Sequence, residues 1–279
     1  MENQRTTGDI DARIARAQDR TTDPTELYEL ASDPSARVRA AVAAHPDAPA
    51  QALRPLARDY DRDVREAVAK NPATSAGNLL RLVADPDRWV RWAVATNPAC
   101  DAGVRRAMAK AHDKELRGQL AEMPELEPEL AAILIDDASP EVRERLASHT
   151  YDPDVISTLL DDRTVRVRKG LAINHQTTPD QRHRLAQDPS PDVRATLVRA
   201  LELAEPDLQS LLNDRSAEVR RSLAASTITP QHIRQALEND NDETVAGEAR
   251  RSPAPAPAPA PRTRHRRPIG NRFPGRTTR

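Results

Sequence analysis

DPSARVRAAVAAHP (Asp33–Pro46) is the stretch on which the fold turns. It opens on an aspartate, places Val-Arg five residues later and stops at a proline. The same pattern returns as DYDRDVREAVAKNP (Asp59–Pro72) and DPDRWVRWAVATNP (Asp85–Pro98), each time 26 residues further on. It can be followed down the chain through Val38, Val64, Val90, Leu116, Val142, Val167, Val193, Val219 and Val245, at spacings of 26 with a single 25 between Val142 and Val167. A fixed period of this length marks an array of small structural units.

The columns of the array predict helices. Four residues after each Val stands Val42, Val68, Val94, Leu120, Leu146, Leu171, Leu197 or Leu223. One further on the residue is small, from Ala43 to Ala224. Apolar positions at i, i+4 and i+5 make one helical stripe. Eight residues before each Val lies a second apolar column, from Leu30 and Leu56 to Leu237. Each unit therefore reads as two short helices, B then A. The aspartates Asp33, Asp59, Asp85, Asp137, Asp162, Asp188, Asp214 and Asp240 precede helix A, where an N-cap acceptor is expected. Asn71-Pro72 and Asn97-Pro98 end helix A, with asparagine expected in a left-handed stop. Thr178-Pro179 and Thr229-Pro230 read as starts of helix B. Helices this short are marginal alone, so the units must share their apolar faces by stacking. The expected fold class is all-α, a right-handed solenoid of about nine units. Residues 1–23 would form an N-terminal arm and cap helix (roughly Asp9–Gln18), 24–249 the solenoid and 250–279 a disordered tail.

Composition agrees with an aliphatic array and excludes several classes. Aromatics are 2% of the 279 residues, so no large aromatic core exists. One cysteine, Cys100, excludes an intrachain disulfide and a cysteine-cluster metal site. No apolar run is long enough to span a bilayer, and the first twenty residues lack the apolar stretch of a secretory signal. A cytoplasmic location and a monomer are expected. The 38 arginines against 4 lysines suggest a GC-rich, bacterial genome. The net charge of −1 hides an asymmetry: nine arginines and no acid lie in 250–279, leaving 33 basic against 43 acidic residues in 1–249.

LVADPDRWVRWAVATNP (Leu82–Pro98) closely resembles the units of the variant leucine-rich repeat family, and the resemblance extends over about residues 24–249. It implies a solenoid of short helices related to HEAT and armadillo repeats, and a role as an interaction scaffold. The cysteine cluster that holds an iron–sulfur centre in the founding protein of that family has no counterpart here, so no cofactor is carried over. Some relatives with HEAT-like repeats are DNA glycosylases with a basic concave face; the acidic body argues against that reading.

One residue after each Val stands Arg39, Arg65, Arg91, Arg117, Arg143, Arg168, Arg194 or Arg220. Such a row could bind phosphates. The matching row of aspartates points instead to a structural ladder of bidentate pairs, and the HEAT resemblance implies the same. In unit four Ala111 replaces the aspartate, which leaves Arg117 unpaired or otherwise engaged. Trp89 and Trp92 stand three residues apart in columns that are otherwise polar or small, so both are expected to face solvent. With Arg88, Arg91 and Tyr60 they compose a candidate partner-binding site. Two acidic pairs, Asp136-Asp137 and Asp161-Asp162, and the histidines His149 and His175 are weak metal signals, and no metal is assigned. No phosphate loop, nucleophile elbow or zinc-protease motif occurs, so no catalytic residue is assigned and the chain is read as non-enzymatic.

The tail begins with an Ala-Pro run, Pro253–Pro261, which favours an extended spacer. RTRHRR follows, with Arg262, Arg264, Arg266 and Arg267 as its basic block. The favoured function is a scaffold that binds a protein or peptide through the solenoid surface, with the tail as an auxiliary arm. The alternatives are nucleic-acid binding through the tail and the exposed Trp and Arg residues, or, further off, a glycosylase.

Overall fold

The computed structural model describes residues 2–123 and 126–251, with side chains from residue 9 onward. Every regular element among them is an α-helix. Helix α1 (Glu2–Gln18) leads. The B helices are α2 (Pro24–Leu30), α4 (Ala50–Leu56), α6 (Ala76–Leu82), α8 (Ala102–Ala109), α10 (Pro128–Ile135), α12 (Pro153–Leu159), α14 (Pro179–Ala186), α16 (Glu205–Leu212) and α18 (Gln231–Leu237). The A helices alternate with them: α3 (Ala36–Ala44), α5 (Arg62–Lys70), α7 (Arg88–Ala95), α9 (Lys114–Ala121), α11 (Pro140–His149), α13 (Val165–Ala172), α15 (Pro191–Ala200), α17 (Ala217–Ala225) and α19 (Glu243–Arg251). Each A helix packs on the A helix of the next unit and on the B helix of its own, which makes a two-layered solenoid.

The core is one continuous seam along the array. The Val/Leu column from Val38 to Val245 and the column from Val42 to Leu223 are fully buried. In the B layer Leu56, Leu82, Met108, Leu134, Leu159, Leu185, Leu211 and Leu237 are buried as well. Leu30 of the same column is only half-buried, because no B helix precedes α2 to cover it. Small residues let the A helices approach. A Cβ added at Gly170 would lie 2.8 Å from the Glu144 carbonyl oxygen and 2.9 Å from Ser148 Oγ, closer than a side chain tolerates.

Three local expectations change. The ladder aspartates do not cap the A helices. The caps stand two residues later, at Ser35, Asp61, Asp87, Asp113, Ser139, Thr164, Ser190 and Ser216. Each ladder aspartate instead accepts the backbone N–H of that cap residue, as Asp59 does from Asp61 at 2.9 Å, closing an Asx turn. The asparagines are not left-handed: Asn71 is extended at φ −72°, ψ 122°, and no described residue, glycine included, has positive φ. Thr178 does cap α14, with a full capping box to Gln181, whereas α18 is preceded by Pro230 in the cap position and Thr229 lies one residue outside.

Candidate functional site

The arginine column forms one continuous ladder. Each guanidinium reaches forward to the aspartate of the next unit: Arg39 Nε donates to Asp59 at 2.6 Å, Arg65 to Asp85 at 2.7 Å, Arg143 to Asp162 at 2.7 Å and Arg168 to Asp188 at 2.6 Å. Arg194 joins Asp214 and Arg220 joins Asp240 in the same way, both at 2.7 Å. The remaining nitrogen donates back to the main-chain carbonyl of the aspartate in its own unit, as Arg65 does to Asp59 O at 2.7 Å. One arginine thus fixes a turn in its own unit and a carboxylate in the next, by charge-assisted bonds. The ladder starts earlier than expected. Arg13 of α1, 26 residues before Arg39, donates to Asp33 at 2.6 Å, so α1 stands in the place of an A helix.

Unit four corrects the reading of Arg117. That residue is paired: its Nε donates to Asp137 at 2.5 Å. Because the ladder runs forward, Ala111 deprives Arg91 of unit three instead. Arg91 reaches two residues further, to Asp113 at 2.6 Å, and Asp113 at the same time caps α9 by accepting from Glu115 N–H.

The ladder sets the acid limit of the fold. Burial alone would raise the Asp59, Asp162 and Asp214 carboxyls. Hydrogen bonds from the guanidinium of the preceding unit and from the turn N–H outweigh it and hold all three below the ordinary carboxylate range. For Asp240 the Arg220 bond is the leading cause of a shift in the same direction. Carboxyls depressed by folding stabilise fully above the unfolded value, about 3.9, and lose that contribution as pH falls through the folded one. Helicity followed by circular dichroism is therefore expected to hold to about pH 4 and to be lost cooperatively below it. A flat signal into stronger acid would mean that the ladder contributes little.

At the irregular rung lies a groove. Asp87 caps α7 and accepts from Trp89 N–H at 2.8 Å. Val90, Ala93 and Val94 take the buried side of α7, which turns Trp89 and Trp92 outward, 45% and 44% exposed. The two indoles line a groove of about 360 Å³ that opens toward Asp113, Glu115, Leu116 and Gln119. Arg88 lies over the Trp89 ring, its Cζ 4.5 Å from the centroid. Gln119 Oε1 is buried and has no hydrogen-bond partner among the described residues, while Glu115 accepts from Arg145 at 2.8 Å. The groove therefore offers aromatic surface and a rim of charge.

Not every residue expected here belongs. Arg91 lines the groove, but its nitrogens are engaged by Asp113, Asp85 O and Pro86 O. Tyr60 is fully exposed on the α4–α5 connection and is not part of the groove. Asp113, Glu115 and Gln119 were not anticipated; the displaced aspartate, two residues after Ala111, was the available signal. Asp137 and Asp162 are held by arginines, and no group of three or more His, Cys, Asp or Glu is placed to hold a metal among the described residues. Arg262, Arg264, Arg266 and Arg267 lie outside the described residues, and no described helix is long and apolar enough to cross a membrane.

The model of the leucine rich repeat variant family matches residues 36–61 and 62–87, the first two full register blocks of the array. A solved structure described as a leucine-rich repeat variant with a novel repetitive protein structural motif is similar at 24% identity, over 81% of this chain and 80% of its own, with a TM-score of 0.49. A designed armadillo repeat protein is similar at 17% identity over 82% of this chain and 97% of its own, with a TM-score of 0.19. No curated protein matches.

Proposed function

We propose that this chain, which carries leucine rich repeat variant units, is a non-catalytic scaffold that receives a protein or peptide partner in the groove beside Trp89 and Trp92. The observation behind this reading is a pair of half-exposed indoles on one helix face, in a chain that has only two tryptophans. Tryptophan and arginine are enriched among the residues that dominate interface energetics. We propose further that the Arg262–Arg267 block serves as an auxiliary cationic arm for the same partner.

Trp89→Ala/Trp92→Ala is expected to weaken partner capture by at least about 30-fold, since a central aromatic contributes about 2 kcal/mol or more. Both side chains project outward, so helicity should be unchanged. Comparison of the proteins captured by the wild type and by the double variant tests this, with deletion of 250–279 as a second arm. Identical partners at identical affinity for wild type and double variant would rule the groove out.

A further inference from the structure

The outer face of the B layer, away from the tryptophan groove, carries a feature of its own. Most described cations sit in ion pairs. Arg20 and Arg163 stand apart without an ion pair or side-chain hydrogen bond, and five more such exposed cations lie close together: Arg54, Arg58, Arg81, Arg106 and Lys110. They occupy only three repeat columns. The first reads Tyr28, Arg54, Leu80, Arg106, Ala132 through units one to five. The second reads Ser32, Arg58, Ala84, Lys110, Asp136, and the third Glu29, Pro55, Arg81, Ala107, Ile133. Residues of one column point the same way in successive units, so these form one strip across α2, α4, α6, α8 and α10. Its centre is cationic. Its exposed large apolar side chains are Tyr28, Leu80 and Ile133. A carboxylate closes each end, Glu29 at one and Asp136 at the other.

Position near the C-terminal ends of the B helices accounts for part of this, because cations there complement the helix dipole. It does not account for the clustering. The first column continues as Ser157 in α12, His183 in α14, Gln209 in α16 and Gln235 in α18, where the dipole is the same and no arginine or lysine is present; His183 is engaged by Asp207. The geometry points to a second docking surface, on the B layer of units two to four, for a short acidic peptide segment that carries an apolar residue near its middle.

Charge complementarity and length together choose this occupant. Three units at about 8–10 Å per helix layer span roughly 25 Å, which an extended peptide crosses in about eight residues. Leu80 lies at the centre, with cations on either side of it. A nucleic acid would also be drawn to the cations. Its dense, unbroken charge would then run onto Glu29 and Asp136 and be repelled at both ends, whereas a short acidic segment ends inside the strip.

The test uses the full chain and a fluorescein-labelled octapeptide of glutamates with one central leucine, followed by anisotropy at low salt. Arg54→Glu/Arg106→Glu should weaken binding at least about tenfold, since it reverses two desolvated charge contacts. Leu80→Ser should weaken it about threefold or more. Trp89→Ala/Trp92→Ala should leave it unchanged, which separates this surface from the groove. All these side chains are exposed, and helicity by circular dichroism checks that each variant folds. The proposal is overturned if Arg54→Glu/Arg106→Glu binds as the wild type does, if a glutamine analogue of the peptide binds equally, or if an oligothymidylate binds in preference to the peptide.

Discussion

Asp162→Ala is expected to lower the unfolding free energy by about 3–5 kcal/mol, the range for removing one partner of a buried ion pair. The Asp162 side chain is 8% exposed and that of Arg143 is 5% exposed. The carboxylate accepts from Arg143 Nε at 2.7 Å and Nη2 at 3.2 Å, and its Oδ1 also accepts from Thr164 N–H at 2.8 Å. Alanine would leave a guanidinium buried between two units with only the Asp137 carbonyl and the Thr164 hydroxyl as acceptors. It would also remove the turn that delivers Thr164 to the start of α13. Asp162→Asn keeps the turn acceptor and should lose less. Arg145→Ala is the surface control: its pairs with Glu115 and Glu122 are exposed, and its loss should cost under about 1 kcal/mol. Urea-unfolding midpoints of the three variants give the ranking. If Asp162→Ala falls within the range of Arg145→Ala, the ladder adds specificity of stacking but little stability.

The architecture was legible in the sequence because every unit meets the same surroundings. A position that must be buried recurs as Val or Leu at the same phase, and nine repetitions average away local exceptions. The direction of the ladder was not legible. An aspartate six residues before one arginine and twenty after another offers two pairings, and distances between stacked units are absent from the chain. Spacing alone therefore pairs Ala111 with Arg117, whereas in the fold the loss falls on Arg91. The aspartate's second oxygen serves the turn, so spacing to the helix start placed the cap two residues early. Arg13 carries no column signature, because Ala12 stands where the column elsewhere has a branched or long apolar side chain.

The candidate groove was half legible. Trp89 and Trp92 stood out because their columns hold charged or small residues elsewhere, and the i, i+3 spacing places them on one face. Glu115 and Gln119 belong to the next unit; Glu115 is ordinary for its column, while Gln119 stands where the three preceding units carry alanine. Only the stacking of α7 on α9 brings them to the indoles. Tyr60, expected nearby from its place one unit earlier, stands fully exposed on the connection between α4 and α5 and does not line the groove.

The asparagines were given a local job, and the second large prediction separates that job from the one the fold assigns. Asn97 is buried, and its side chain crosses between units. Nδ2 donates to Ala69 O at 2.6 Å and to Asn71 O at 2.9 Å, while Oδ1 accepts from Ala99 N–H at 2.7 Å. Asn71 does the same to Ala43 O and His45 O, and His45 Nε2 lies 3.2 Å from Asp19 O. This is a second inter-unit ladder, built of amides and parallel to the ionic one. Asn97→Leu would leave the Ala69 carbonyl and the Ala99 N–H without partners in a closed space, while Asn71 O keeps the Thr74 N–H, and is expected to cost about 2–6 kcal/mol at about 1–3 kcal/mol per orphaned group. Asn97→Gly tells the two accounts apart. A left-handed helix stop would be improved by glycine, whereas a bridging amide is simply lost, so a drop comparable to that of Asn97→Leu is expected. Asn97→His should recover part of it, because His45 fills the equivalent position. A glycine variant as stable as the wild type would restore the local account and leave the ionic ladder as the main polar link between units.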